Sequence, residues 1–200
     1  MTLLLLACTV KPAPSDLPNP DGSNSAPEAS VALAPDVLTA ATRIVAAADA
    51  VDVDGDVVVW DFIWSINGEV VQEGIANFLP AGTAIRGDEV TVEATAWDGI
   101  DASEPVSAAG TVENAPPVIV AVRIDPSDPV EGESLRCEAD GEDADGDDLS
   151  WTTTFRTGGE DYGDEVPEDV TLSGETWFCV AVANDEEADS WPLDTYVVIE

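Results

Sequence analysis

The stretch "DVDGDVVVW" runs from Asp52 to Trp60, and "DADGDDLSW" runs from Asp143 to Trp151. One Asp-x-Asp-Gly-Asp-x-x-x-Trp phrase therefore stands twice in the chain, 91 residues apart. Outward from it the register holds. "AAADAVDVDGDVVVW" (46–60) falls on "CEADGEDADGDDLSW" (137–151) without a gap, and "VALAPD" (31–36) falls on "VRIDPS" (122–127). Gly68-Glu69 falls on Gly159-Glu160. The offset then drops to 87, where "GDEVTVEATAWDG" (87–99) falls on "GETWFCVAVANDE" (174–186) and Pro105 on Pro192. A repeat of this length is a whole domain, not a solenoid unit. Two copies are expected, over 31–113 and 118–200, joined by a short Pro-stiffened linker at 114–117.

Each copy reads as short strands between turn residues. In the second copy these are "VIVAVRI", "ESLRCEA", "LSWTTTF", "TWFCVAVA" and "DTYVVI"; in the first, "SVALA", "ATRIVAAA", "VVVWDFIWSI", "EVTVEATA" and "VSAAGTV". Alternation is clear, with Val58, Trp60, Phe62, Trp64 and Ile66 on one face and Trp177, Cys179 and Ala181 on another. No segment shows helical periodicity with caps. Several short strands with turn signals between them predict an all-β sandwich in each copy. Trp60 and Trp151, which match between copies, are expected in the core, and Trp177 in the core or at an interface. Trp64, Trp97 and Trp191 have no repeat partner of the same type and are expected to be partly exposed, where a carbohydrate or peptide would stack.

Composition narrows the function. Six Lys plus Arg stand against 42 Asp plus Glu, a net charge of −36, and there is no His. Nucleic acid is excluded as a partner, since its phosphates need Lys or Arg. Direct docking to an anionic bilayer is disfavoured for the same reason. With 44% hydrophobic residues the chain is not an acidic disordered tail. Absence of His removes the common catalytic triads and most zinc sites, and no phosphate-binding Gly-rich loop is present. No enzymatic activity is expected; a glycosidase working through two carboxylates is the remote alternative.

The chain has three Cys. Cys137 and Cys179 make an even pair, expected to be a disulfide in an exported chain. In the repeat register they fall on Ala46 and Val92, a small apolar pair, so both pairs are expected to face each other inside a core. Cys8 ends "LLLLAC", which resembles a bacterial lipobox: Leu5, Leu6 and Ala7 lead into a Cys that is lipidated after cleavage. Residues 1–8 then read as a signal remnant, and the Pro- and Ser-rich stretch 9–30 as a disordered tether. The resemblance implies an exported lipoprotein anchored in the membrane through Cys8, at the outer membrane or cell surface of a bacterium; Thr9 rather than Asp after the Cys favours outer-membrane sorting. A charged segment before the apolar run is missing, so the true start is expected upstream. No other stretch approaches the length of a membrane span.

The order Cys137, Trp151, Cys179 resembles the immunoglobulin fold, in which a Trp packs on an inter-sheet bridge. The Asp-x-Asp-Gly-Asp phrase, "WDG" or "ND" after the later strand, and the junction "NAPPVI" are similar to tandem Ig-like, PKD-like and cadherin-like repeats of bacterial surface lipoproteins. The resemblance covers most of the chain. It implies two tandem immunoglobulin-like sandwiches, with Trp151 on the bridge. It also brings two loops of each domain to one end, setting Asp52, Asp54 and Asp56 near Asp98, and Asp143, Asp145 and Asp147 near Asn184 and Asp185. Clustered carboxylates on loops are what Ca²⁺ takes; the plain alternative is that they only shape turns. The phrase is not an EF-hand loop, since its Gly comes fourth rather than sixth. The implied role is a non-catalytic, surface-anchored structural or adhesive binding module, whose partner is an extracellular protein or carbohydrate. The alternative is a calcium-rigidified, cadherin-like adhesin or spacer.

Overall fold

Short Val-, Ala- and Thr-rich runs cut by Gly, Pro and Asp are too brief for helices and satisfy their backbones by lateral pairing. The computed structural model describes residues 23–200, and among them every regular element is a strand. Cys8 and residues 9–22 lie outside the described residues. The first strand, β1 (Glu28–Ala34), begins inside the stretch read from sequence as tether.

The first repeat continues with β2 (Leu38–Thr39), β3 (Ile44–Val51), β4 (Val59–Ile66), β5 (Glu69–Gly74), β6 (Phe78–Leu79), β7 (Glu89–Trp97) and β8 (Val106–Glu113). They make a three-stranded sheet, β1-β3-β6, and a five-stranded sheet, β2-β8-β7-β4-β5. The second repeat holds β9 (Val118–Asp125), β10 (Leu135–Glu142), β11 (Ser150–Thr157), β12 (Glu160–Tyr162), β13 (Glu165–Val166), β14 (Thr176–Asn184) and β15 (Leu193–Val198). Its sheets are β13-β10-β9 and β12-β11-β14-β15. The protein is thus all-β, with two tandem immunoglobulin-like sandwiches. All ten strands read from the sequence are present. The five others are two- or three-residue pieces, or the mostly exposed edge strand β5, whose burial does not alternate.

The chain divides into two compact units. One holds the described residues up to Leu38 with Ile44–Pro80 and Asp88–Thr111; the other holds Thr39–Arg43, Ala81–Gly87 and Val112–Glu200. In the second unit the Cys137–Cys179 disulfide joins β10 of one sheet to β14 of the other, with Cα atoms 6.1 Å apart. Ile124, Leu135, Phe155, Val166, Trp177 and Ile199 are buried around it. Phe155 is the cross-strand partner of Cys179 and meets Trp177 edge-on at 6.3 Å. In the first unit Ala46 and Val92 are buried at the matching positions, and fully buried Trp64 pairs with Val92.

Two expectations about tryptophan are corrected. Trp151 is not a core residue: it is 38% exposed and lies over Gly141, where an added Cβ would sit 2.8 Å from the indole. Trp60 is only half-buried, stacked on Phe62 at 5.9 Å. Trp64, expected to be partly exposed, is fully buried. The face was read correctly and the depth was not. Trp60 and Trp151 lie at the strand ends that emerge from the Asp loops, whereas Trp64 and Phe155 lie four residues further in, opposite the inter-sheet pair. Phe155 therefore takes the place on the bridge that the resemblance implied for Trp151.

The disulfide closes a sequence separation of 42, a loop whose removal from the unfolded ensemble is worth about 4 kcal/mol in the chain-entropy model. Replacing both cysteines by Ala is expected to lower the melting temperature of the second unit by more than about 10 °C. Calorimetry of the double variant checks this, and an unchanged melt would refute it.

Candidate functional site

Each Asp-x-Asp-Gly-Asp phrase forms the same turn. Its Gly, Gly55 or Gly146, has a φ of 81°, a conformation that L side chains rarely adopt. The first Asp caps the turn with one oxygen. Asp52 Oδ1 accepts from the backbone N–H of Asp54 (2.9 Å) and Asp56 (3.1 Å). Asp143 Oδ1 accepts likewise from Asp145 (2.8 Å) and Asp147 (3.2 Å). The turn-forming role is therefore observed in both copies, and it uses only one carboxylate oxygen of the capping residue.

A two-residue segment ahead of each domain's first strand ties this loop to the second Asp loop. The Ser25 N–H donates to Asp54 Oδ2 (2.8 Å), and the Asn24 amide donates to Asp98 Oδ2 and Asp101 Oδ2, both at 2.9 Å. In the second copy the Ala115 N–H donates to Asp145 Oδ2 (2.7 Å), and the Asn114 amide to Asp185 Oδ2 (2.8 Å). Asp98 also caps the N–H of Ile100 and Asp101, and Asp185 those of Glu187 and Ala188. The loops predicted to share an end do so in each unit. Asn184 organises its own loop, bonded to Ala188 and Asp189. The sequence placed the second copy's cluster close to the Glu113-Asn114 joint, where Asn114 is found, but missed Asn24, Ser25 and Ala115 as parts of the site. A signal existed: "SNSAP" (23–27) and "ENAPP" (113–117) share Asn and Pro at an offset of 90, one residue out of the main register.

The second copy differs in one respect. One carboxylate oxygen from each of Asp143, Asp145 and Asp147 lies within 4.8 Å of the others. Asp143 Oδ2, Asp145 Oδ1 and Asp147 Oδ2 are shielded from solvent and receive no hydrogen bond; in the first copy, among the described residues, only Asp52 Oδ2 is in this state. Like charges about 4 Å apart repel by about 4 kcal/mol near a protein surface. An oxygen-only donor set with bare lone pairs fits a hard divalent cation such as Ca²⁺, and the chain has no His to favour a softer metal.

Arg86, from the 81–87 segment of the second unit, borders this cluster. Its Nη1 lies 2.7 Å from Asp147 Oδ2 and its Nη2 donates to Asp147 Oδ1 at 3.1 Å. Nη1 also donates to Asn114 Oδ1 (2.7 Å) and Glu187 Oε1 (2.9 Å). Burial works against its charge, but Asp147, then Glu187 and Asp145, raise its pKa above the ordinary value.

Two apolar grooves lie among the described residues. One, of about 390 Å³ in the first unit, is walled by Val59, Trp60, Phe62 and Ile75. A smaller one in the second unit is bordered by Pro117, Ile119 and Trp191. Trp97 is half-exposed and Trp191 is almost fully exposed.

No protein-family model matches the chain, and no curated protein matches it. Among solved structures it is similar to the chicken interferon gamma receptor alpha chain, with a TM-score of 0.52 and 11% identity, over 88% of this chain and 99% of that one. That likeness shows the fold, a tandem pair of fibronectin type III or Ig-like β-sandwiches. A two-domain fibronectin type III segment from chicken tenascin matches with a TM-score of 0.41 and 11% identity, over 88% and 99% of the two chains. The fibronectin(III)-like modules of Clostridium thermocellum CbhA match with a TM-score of 0.31 and 17% identity, over 86% and 94%.

Asp98 is held below the ordinary carboxylate range by the Asn24 amide and then the Asp101 N–H. Burial pushes Asp185 up, but the Asn114 amide and the Ala188 and Glu187 N–H groups outweigh it, so its pKa too is lowered. A depressed folded value contributes stability above the unfolded value of about 3.9, lost as pH falls through the folded value. Stability is thus expected to drop below about pH 4. Asp185, 4% exposed, leaves three donors unmet when replaced by Ala, a loss of about 2–3 kcal/mol at pH 7. Urea unfolding at pH 7, 5 and 3.5 checks both; Asp185→Ala should flatten the acid limb, and an unchanged limb would contradict the assignment.

Proposed function

We propose that this chain is a non-catalytic, exported lipoprotein, held in a bacterial membrane through lipidated Cys8, whose two sandwiches act as a structural or adhesive binding module on the outer membrane or cell surface. The observation that carries export is the Cys137–Cys179 bridge between the sheets, since such bonds persist in oxidising compartments. The lipobox-like "LLLLAC" and the Pro-rich stretch after it support the anchor. The partner is an extracellular protein or carbohydrate. The reading involves no reaction; a glycosidase would need two carboxylates converging across a cleft. Feeding host cells an alkyne-tagged fatty acid tests the anchor. Wild type is expected to carry the label in the membrane fraction and Cys8→Ser to lose it; label retained by Cys8→Ser would overturn the assignment.

A second reading, a calcium-rigidified and cadherin-like spacer, is favoured by the gathered carboxylates of Asp143, Asp145 and Asp147, of which Asp143 Oδ2 and Asp145 Oδ1 are buried without a donor. These residues would hold the ion, with Asp185 in the adjoining loop. Bound calcium supplies positive charge that offsets the repulsion among them. Calorimetric titration with calcium is expected to give one site per chain, not two. Asp143→Asn with Asp145→Asn keeps the turn acceptors, removes charge and should abolish binding, while Asp52→Asn with Asp54→Asn should leave it intact. At a hundredfold excess over Kd, calcium should stabilise the second unit by about 2.7 kcal/mol. Neither heat nor stabilisation at millimolar calcium would refute this reading.

A further inference from the structure

We infer that Arg86 is a tethered internal cation that occupies the Asp147 side of the carboxylate cluster and lowers its affinity for a divalent ion. The inference rests on the calcium reading above. The geometry behind it is a count of hydrogens. Nη1 carries two, and three oxygens face it: Asn114 Oδ1, Glu187 Oε1 and Asp147 Oδ2. The first two take hydrogen bonds. Asp147 Oδ2 faces Nη1 at 2.7 Å as an ion pair, beside the hydrogen bond from Nη2 to Asp147 Oδ1. The guanidinium therefore sets its charge directly against an oxygen that a metal would use.

The charge balance points the same way. One guanidinium faces Asp147 and Glu187 directly, while Asp143 Oδ2 and Asp145 Oδ1 have no donor at all. Arg86 is thus enough to hold Asp147 and Asn114 in place without metal and too little to neutralise the group. A divalent ion on Asp143, Asp145 and Asp147 would sit beside a fixed positive charge. It must either bear that repulsion or displace the guanidinium towards Glu187, which is 57% exposed and can follow it. In either case the arginine opposes the ion, while its fork on Asp147 keeps the loop formed when the ion is absent.

The test uses the full chain in three forms, wild type, Arg86→Gln and Arg86→Lys, each titrated with calcium chloride by calorimetry and melted in excess chelator. Circular dichroism confirms that each variant is folded. Arg86→Gln removes the charge and is expected to bind calcium about tenfold more tightly than wild type and to melt lower in chelator. Arg86→Lys keeps the charge but not the two-pronged contact, so its calcium affinity is expected to stay near wild type while its chelator melt falls. Equal affinity in all three forms would overturn the role of Arg86 and leave the calcium site standing. Weaker binding by Arg86→Gln would overturn it too, showing that the arginine organises the site instead of competing for it. No binding by any form, including Arg86→Gln, would overturn both readings together.

Discussion

A sandwich has only side chains between its two layers, so the pair at the centre of that layer sets the rest. In the second unit that pair is Cys137 and Cys179; in the first it is Ala46 and Val92. Side chains alternate along a strand, and a slip of one residue would turn every inward group outward. Once the central pair faces inward, Phe62, Trp64, Val90 and Ala94 follow in one unit, and Leu135, Phe155, Trp177 and Ala181 in the other. Volume is balanced at the same place. The smaller Ala46–Val92 pair stands beside the larger indole of Trp64, and the bulkier disulfide beside the smaller ring of Phe155. Interiors packed to crystal density require such exchanges.

At the loop end the constraint is electrostatic. Two acidic loops must lie side by side in a chain of net charge −36. The means is a neutral amide and a backbone N–H from consecutive residues, Asn24-Ser25 or Asn114-Ala115, each aimed at a carboxylate. Hydrogen bonds to ionised acceptors are stronger than neutral ones, so a short entry segment suffices. A matching tie closes the base of each second loop, where the Ser103 hydroxyl accepts from the Ala96 N–H and the Ser190 hydroxyl from the Ala183 N–H. Each domain therefore begins with its Asn, before its first strand.

The fold was legible because its signals are periodic. A repeat offset and a period-two alternation survive without any knowledge of contacts, and they placed ten strands and the Cys pair. Depth along a strand is not periodic. Trp60 and Trp64 share a face, and nothing local tells that the first sits at the rim and the second at the centre. The Asp loops were legible as a cluster because both flank recognisable strands. Asn24 was not, because its match to Asn114 is one residue out of register. Arg86 was not, because its partners Asn114, Asp147 and Glu187 are all distant in sequence and no local pattern links them.

The turn and metal readings of the Asp loops compete only while a carboxylate is treated as one group. It has two oxygens. Asp143 spends Oδ1 on the turn and leaves Oδ2 bare; Asp145 spends Oδ2 on Ala115 and leaves Oδ1 bare. The first copy forms the identical turn, yet among its described residues only Asp52 Oδ2 is both shielded from solvent and without a hydrogen bond, and Asp52, Asp54 and Asp56 do not gather as their counterparts do. The motif thus specifies the turn in both copies. Only in the second copy do the three carboxylates also gather, with Arg86 beside them, so one sequence phrase, written twice, stands in two different surroundings.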